Sequence, residues 1–192
     1  MTTIGLLLAA GAGRRMGRPK ALVGTWLVDA VVGLREGGCD RVMVVLGAAA
    51  DDAGRLLADQ DVEVVVAADW DDGMGASLRA GLTALASAEG TAVLVTLVDL
   101  PDVGAEVVRR LLGRPVEQAT LARAAYDGTP GHPVLIGRDH WGGVIDSASG
   151  DKGARSYLGG REVELVECGD LATGRDVDAP QTGPTRGQPA AE

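Results

Sequence analysis

The stretch that decides the fold is Ile4-Gly5-Leu6-Leu7-Leu8-Ala9-Ala10-Gly11-Ala12-Gly13-Arg14-Arg15-Met16-Gly17-Arg18-Pro19-Lys20. Residues 4–9 form a short unbroken apolar run, the pattern of a strand buried on both faces. The run ends in a loop with three glycines and four cations, Arg14, Arg15, Arg18 and Lys20. Glycines let backbone N–H groups approach phosphate oxygens because no Cβ intervenes. Arg and Lys add charge where a triphosphate is densest. The spacing G-x-G-x-x-x-G is one residue longer than the dinucleotide fingerprint, and no G-K-[ST] of a P-loop occurs. The bland alternative is a tight turn with solvated charges, and a position directly after the first strand argues against it.

Outward from this loop the chain alternates. Residues 26–34 carry apolar side chains at helical spacing and stop at Gly37-Gly38. Strands are expected at 41–46, 62–67 and 92–98, with helices at 51–59, 77–85 and 102–112. That is the pattern of a mostly parallel α/β sheet. After Gly113 the alternation loosens. Strands are expected at 121–126 and 133–136, joined by the turn-rich stretch 127–131, and at 163–166. Short helices fit 139–148 and 151–158. The predicted fold is a Rossmann-like three-layer α/β/α sandwich with a mostly parallel, mixed sheet. One domain over residues 1–180 and a disordered polar tail at 181–192 complete it.

Composition narrows the function. Phe is absent and aromatics are 3% of the chain, so Val, Leu and Ala must build the core. A formal charge of −9 argues against nucleic acid as partner, and makes the local cation cluster more informative. Cys39 and Cys168 lie far apart with no C-x-x-C, which reads as reduced thiols. The first apolar run precedes its positive charges, the reverse of a secretory signal. No apolar stretch approaches the ~20 residues of a membrane span. A cytoplasmic protein with no membrane partner is expected.

In an open α/β sheet, ligands gather at the carboxyl ends of the strands. There the fourth strand delivers Asp99, in Val95-Thr96-Leu97-Val98-Asp99-Leu100-Pro101. Mg²⁺ is commonly held by one or two carboxylates plus substrate phosphates, and Asp99 faces the phosphate loop as such a ligand would. The competing role, a helix N-cap, is better filled by Asp102.

Leu8 to Lys20 resembles the signature L-A-A-G-x-G-x-R-M-G-x-x-K of the MobA-like nucleotidyltransferases, relatives of the molybdenum-cofactor cytidylyl- and guanylyltransferases. The resemblance covers about residues 4 to 180. It implies a fold of the nucleotide-diphospho-sugar transferase type, and a loop around the NTP phosphates formed by Leu8, Ala9, Ala10, Gly11, Gly13, Arg14 and Lys20. Arg15 and Lys20 then stabilise the triphosphate and its transition state, and Asp99 matches the family's metal-binding aspartate. Asp176-Val177-Asp178 resembles the family's late D-x-D, giving a second metal contact through Asp176 or Asp178; here it leads into Gln181-Thr182-Gly183-Pro184.

Gly73-Met74-Gly75-Ala76-Ser77-Leu78 resembles the segment that frames base and ribose, with Gly73 and Ser77 as contacts and an N-cap as the plainer role for Ser77. Gly131-His132-Pro133 and Gly150-Asp151-Lys152-Gly153-Ala154-Arg155 resemble acceptor segments of the cytidylyltransferase branch, which puts His132, Lys152 and Arg155 at the acceptor. One departure is that Lys20-Ala21-Leu22-Val23-Gly24-Thr25-Trp26-Leu27 is shorter than the family's segment and lacks its Pro.

The expected activity is Mg²⁺-dependent transfer of a nucleoside monophosphate to a phosphorylated acceptor. Ala10 in Leu-Ala-Ala-Gly, together with the G-H-P and G-D-x-G-A-R segments, points by resemblance to CTP and molybdopterin. Rival classes are guanylyl or other NTP transfer, a dinucleotide-binding oxidoreductase, and a non-catalytic molybdenum-cofactor carrier with a molybdoenzyme client.

Overall fold

A computed structural model describes residues 1–178. The first strand, β1 (Thr3–Ala9), is buried along its whole length. It pairs in parallel with β2 (Arg41–Leu46) and β4 (Ala92–Leu97). The sheet has seven strands in the order β3-β2-β1-β4-β6-β5-β7. Its outer members are β3 (Glu63–Val66) on one side, and β6 (Thr129–Gly137), β5 (Leu121–Tyr126) and β7 (Glu164–Glu167) on the other. β6 runs antiparallel to both neighbours, and every other pairing is parallel.

Side chains alternate across β1, and this alternation builds two cores. Leu7 and Ala9 face α1 (Trp26–Glu36), α2 (Ala50–Leu56) and α4 (Ala105–Leu112), through Leu27, Val31, Leu34, Ala53 and Leu111. Ile4, Leu6 and Leu8 face α3 (Met74–Ala84), α5 (Trp141–Ser147) and α6 (Arg155–Leu158), through Leu78, Leu82, Val144 and Leu158. Each fully buried Leu or Val contributes about 1.5–3 kcal/mol. α3 lies close to the sheet because Gly81 has no side chain; a Cβ there would meet Leu6 Cδ1 at 2.7 Å and Val45 Cγ2 at 2.9 Å. The result is the expected three-layer mixed α/β/α sandwich.

Several local expectations need correction. The helix expected from 102 starts at Ala105, so Asp102 is no cap. α3 starts at Met74 after Gly73, which places Ser77 inside the helix and not at its N-cap. The turn between β5 and β6 is only Asp127-Gly128, both at positive φ (51° and 76°), and Thr129 already pairs with Tyr126. Such a two-residue turn matches the strand twist and lets pairing begin early. The helices expected at 139–148 and 151–158 each break into a 3₁₀ turn followed by a short helix.

Cys39 and Cys168 are free and buried. Burial, then the charge of Asp40, pushes the Cys39 thiol up to about 12. Among the described residues no helix is long and apolar enough to cross a membrane. The tail expected at 181–192 lies outside the described residues.

Candidate active site

A cleft of about 360 Å³ opens at the carboxyl ends of β1 and β4. Beyond Ala9 the chain doubles back through the glycine loop. Gly13 has φ +60°, and a Cβ there would lie 1.9 Å from the Arg18 carbonyl oxygen, so the hairpin closes only on glycine. The hairpin ends in the 3₁₀ turn Lys20–Leu22, which fixes the root of the Lys20 side chain. Leu8, Ala10, Gly11, Gly13, Arg14, Arg15 and Lys20 all line the cleft. Ala9 does not: its side chain is 1% exposed and packs in the opposite core, so only its backbone stands at the strand end.

Asp99 follows β4 and lines the same cleft. The Lys20 ammonium donates to Asp99 Oδ2 at 2.5 Å and to Asp178 Oδ1 at 2.7 Å. The side chains of Lys20 and Asp99 are only 17% and 13% exposed, so solvent screens the pair weakly. Arg15 Nη1 donates to Asp178 Oδ2 at 2.9 Å. Burial alone disfavours the charged Lys20, but the hydrogen bonds to Asp178 and Asp99 and their charges outweigh it and hold its pKa above the ordinary value. The hydrogen bond from Lys20, its charge and then Arg15 hold the Asp178 carboxyl below the usual range.

Asp176 joins this group. One oxygen from each of Asp99, Asp176 and Asp178 lies within 4.8 Å of the others. The sequence left a choice between Asp176 and Asp178, and the fold brings both to Asp99. Three carboxylates with hard oxygen donors, already drawing the Lys20 and Arg15 side chains, suit a divalent ion such as Mg²⁺ or Mn²⁺.

The second and third carboxylates arrive on the segment after β7, which runs back across the sheet end. Val177 N–H donates to the Asp99 carbonyl at 3.0 Å. Asp102 Oδ2 accepts from Thr173 N–H at 2.7 Å and from Thr173 Oγ1 at 2.6 Å. Asp102 therefore clamps this strap instead of capping α4.

The opposite wall is the start of α3. Gly73 has φ +104°, and a Cβ there would meet Asp151 Oδ1 and the Gly150 carbonyl carbon at 2.7 Å, so the turn Gly150–Lys152 packs directly onto it. Ser77 is 4% exposed and lines the cleft from one turn inside the helix. Trp70, Asp71, Met74 and Asp151 also line it. Arg14 donates to Asp71 Oδ1 at 2.5 Å and joins the loop to this wall. Sequence reading passed over these four; adjacency to Gly73 and Lys152 in the quoted segments was the available signal.

The residues expected at the acceptor lie beside the cleft and not on its lining. Lys152 and Arg155 are exposed, and His132 is half-buried. Burial, followed by the charges of Arg123 and Arg155, pushes the His132 imidazole down to about 4. His140 has a structural place, bonded to Tyr157 Oη and the Ala119 carbonyl, each at 3.0 Å.

The chain's residues 5–166 match the MobA-like NTP transferase domain. It is 40% identical over 187 residues to the nicotine blue oxidoreductase of Paenarthrobacter nicotinovorans, covering 91% of each chain. It is 34% identical over 146 residues to the molybdenum cofactor guanylyltransferase of Rhodobacter capsulatus, covering 73% of this chain and 66% of that protein. Among solved structures, Rv0371c of Mycobacterium tuberculosis superposes with a TM-score of 0.75 at 28% identity over 93% of both chains. That protein has also been solved in complex with manganese. A cationic glycine loop after the first strand, an aspartate after the fourth and a match over most of the chain agree: this chain belongs to the MobA-like NTP transferase family.

Proposed function

We propose that the protein transfers a nucleoside monophosphate from an NTP, with CTP favoured, to a phosphorylated acceptor of the molybdopterin class, releasing pyrophosphate. One observation carries this reading: a cluster of three carboxylates, two of them lining the cleft, meets a glycine loop whose Lys20 and Arg15 bond to it. The volume, about 360 Å³, lies near the lower end of the ~300–1,000 Å³ typical of ligand pockets, which suits one nucleotide better than two.

In this reading the loop backbone from Leu8 to Gly13, with Arg14, cradles the phosphates, while Gly73 and Ser77 frame base and ribose. Asp99, Asp176 and Asp178 would hold Mg²⁺, which when bound would neutralise charge on the phosphates. Arg15 and Lys20 offset charge that builds on the departing β- and γ-phosphates. His132, Lys152 and Arg155 bring the acceptor's phosphate in line with the α-phosphorus. That nucleophile is already ionised at pH 7, so no general base is required, and catalysis rests on positioning and electrostatics. That Rv0371c has been solved in complex with manganese supports the use of a divalent ion. Ala10, as in the cytidylyl branch, supports CTP; the guanylyltransferase of Rhodobacter capsulatus is the reason GTP must be tested beside it.

The 40% identity to a nicotine blue oxidoreductase favours a second reading, in which the loop holds the pyrophosphate of a reduced dinucleotide. Three clustered carboxylates weigh against it, because a dinucleotide's phosphates need no such site.

A pyrophosphate-release screen of CTP, GTP, UTP and ATP with Mg²⁺ and several phosphorylated acceptors, molybdopterin included, tests the proposal. CTP-dependent release is expected. GTP-only release overturns the choice of base. Oxidation of NADH or NADPH without pyrophosphate release establishes the second reading, and retained molybdopterin without turnover of either kind establishes a carrier.

A further inference from the structure

Among the described residues, 168–178 belong to no helix or strand, yet this strap brings Asp176 and Asp178 to Asp99. Carboxylates on a loose segment cannot fix the spacing of an ion site, because ligands need support of their own. Asp102 bonds Thr173, and the Asp99 carbonyl accepts from Val177 N–H at 3.0 Å. Between these two points lies Gly174, two positions before Asp176.

Gly174 has φ +62°, and a Cβ there would stand 2.0 Å from Tyr126 Cε2, 2.2 Å from Cδ2 and 2.6 Å from Cζ. The strap backbone therefore lies directly on the Tyr126 ring. That ring is itself held in place. Tyr126 ends β5, paired with Thr129 across the hairpin. Its hydroxyl donates to the His132 carbonyl at 2.6 Å. The ring is buried in the core that also contains Ala124, Leu135, Val166 and Cys168. Gly131 comes down on the same ring carbons, where a Cβ would stand 2.8 Å from Cε2 and 2.9 Å from Cδ2.

An ordinary core tyrosine would account for the burial and the satisfied hydroxyl. It does not account for the glycine on top of it. Any apolar side chain covers a buried ring, and glycine costs conformational entropy. Only a backbone that must lie at that height, in a left-handed turn, requires Gly174.

We propose that Tyr126 is a positioning residue for the ion site: its ring, acting through Gly174, fixes where the strap presents Asp176 and Asp178 to Asp99, and so sets which divalent ion the three carboxylates accept. The proposal rests on the metal part of the nucleotidyl-transfer reading above and deepens it. Mg²⁺ demands near-octahedral oxygens at about 2.0–2.1 Å, whereas Ca²⁺ tolerates irregular ones at about 2.3–2.6 Å. A strap seated on a fixed ring favours the smaller ion, and a loosened strap loses that preference.

Mn²⁺, standing in for Mg²⁺, is titrated into the full chain by electron paramagnetic resonance, and Ca²⁺ is competed against it. The wild-type chain should hold Mn²⁺ more tightly than Ca²⁺. In Gly174→Ala, Mn²⁺ affinity should fall about tenfold, the scale expected when a ligand loses its support. Ca²⁺ affinity should change less, so that discrimination narrows. Tyr126→Leu should do the same, while Tyr126→Phe, which keeps the ring, should match wild type. Gly174 lies on the strap outside the sheet, so its variant tests the seat even if Tyr126→Leu fails to fold. Equal discrimination in wild type and Gly174→Ala overturns the proposal, as does a Tyr126→Phe chain that loses discrimination. A wild-type chain that binds no Mn²⁺ refutes the metal reading instead. Hydrogen exchange at the Val177 amide of the metal-free chain then judges the seat by itself. Protection in wild type and Tyr126→Phe, lost in Gly174→Ala, upholds it; equal protection in all three overturns it.

Discussion

Asp102 and Thr173 lie 71 positions apart, and one carboxylate oxygen of the first accepts both the N–H and the hydroxyl of the second, at 2.7 and 2.6 Å. This clamp holds the strap that delivers Asp176 and Asp178 to Asp99. Asp102→Ala should therefore weaken Mn²⁺ binding about tenfold, as expected when a bond to a charged group is lost, while turnover largely recovers at high metal. Titration by electron paramagnetic resonance, together with the metal dependence of pyrophosphate release, checks this. Unchanged metal affinity would mean that the strap needs no clamp.

Lys20 bridges two carboxylates of the same cluster. A divalent ion competes with its ammonium for their charge, yet the proposed reaction needs that ammonium on the phosphates. Lys20→Met should separate the two effects. Mn²⁺ affinity should rise several-fold, because Asp99 and Asp178 lose their counter-ion, and pyrophosphate release should fall on the order of a hundredfold.

The glycine hairpin closes only with φ +60° at Gly13 and the Arg18 carbonyl 1.9 Å from where a Cβ would stand. Gly13→Ala must open it. Calorimetric titration should show nucleotide affinity reduced by more than about tenfold, with thermal stability reduced by no more than the ~1–3 kcal/mol of one strained site.

His132 titrates at about 4 in the folded chain, against 6.5 for the unperturbed side chain. Between those values the unfolded chain binds a proton that the folded chain does not. Stability is therefore full above about pH 6.5 and falls as the pH drops toward 4. The difference corresponds to about 3 kcal/mol. Urea denaturation across this window should show the slope, and His132→Gln should reduce it.

What the sequence made legible was local. Residues 4–9 and 42–46 announced buried strands because no polar residue interrupts them, and the glycine loop and Asp99 follow directly from strand ends. What it hid was long-range. Nothing near Asp102 signals Thr173, so a helix-capping role looked natural there. The plainer role open to Ser77, an N-cap, fails because Gly73, with φ +104°, starts the helix without a side-chain acceptor. Of the two late aspartates, the D-x-D spacing alone could not favour either, and the strap brings both within reach of Asp99.

The central claim is that the glycine loop and the three aspartates grip one nucleotide's phosphate chain between them. A crystal of the chain soaked with CTP and Mn²⁺, recorded at the manganese absorption edge, tests it most directly. The account predicts an anomalous peak among Asp99, Asp176 and Asp178, with the triphosphate against Gly11, Gly13 and Lys20. A nucleotide bound away from this loop, with no peak beside Asp99, would contradict it.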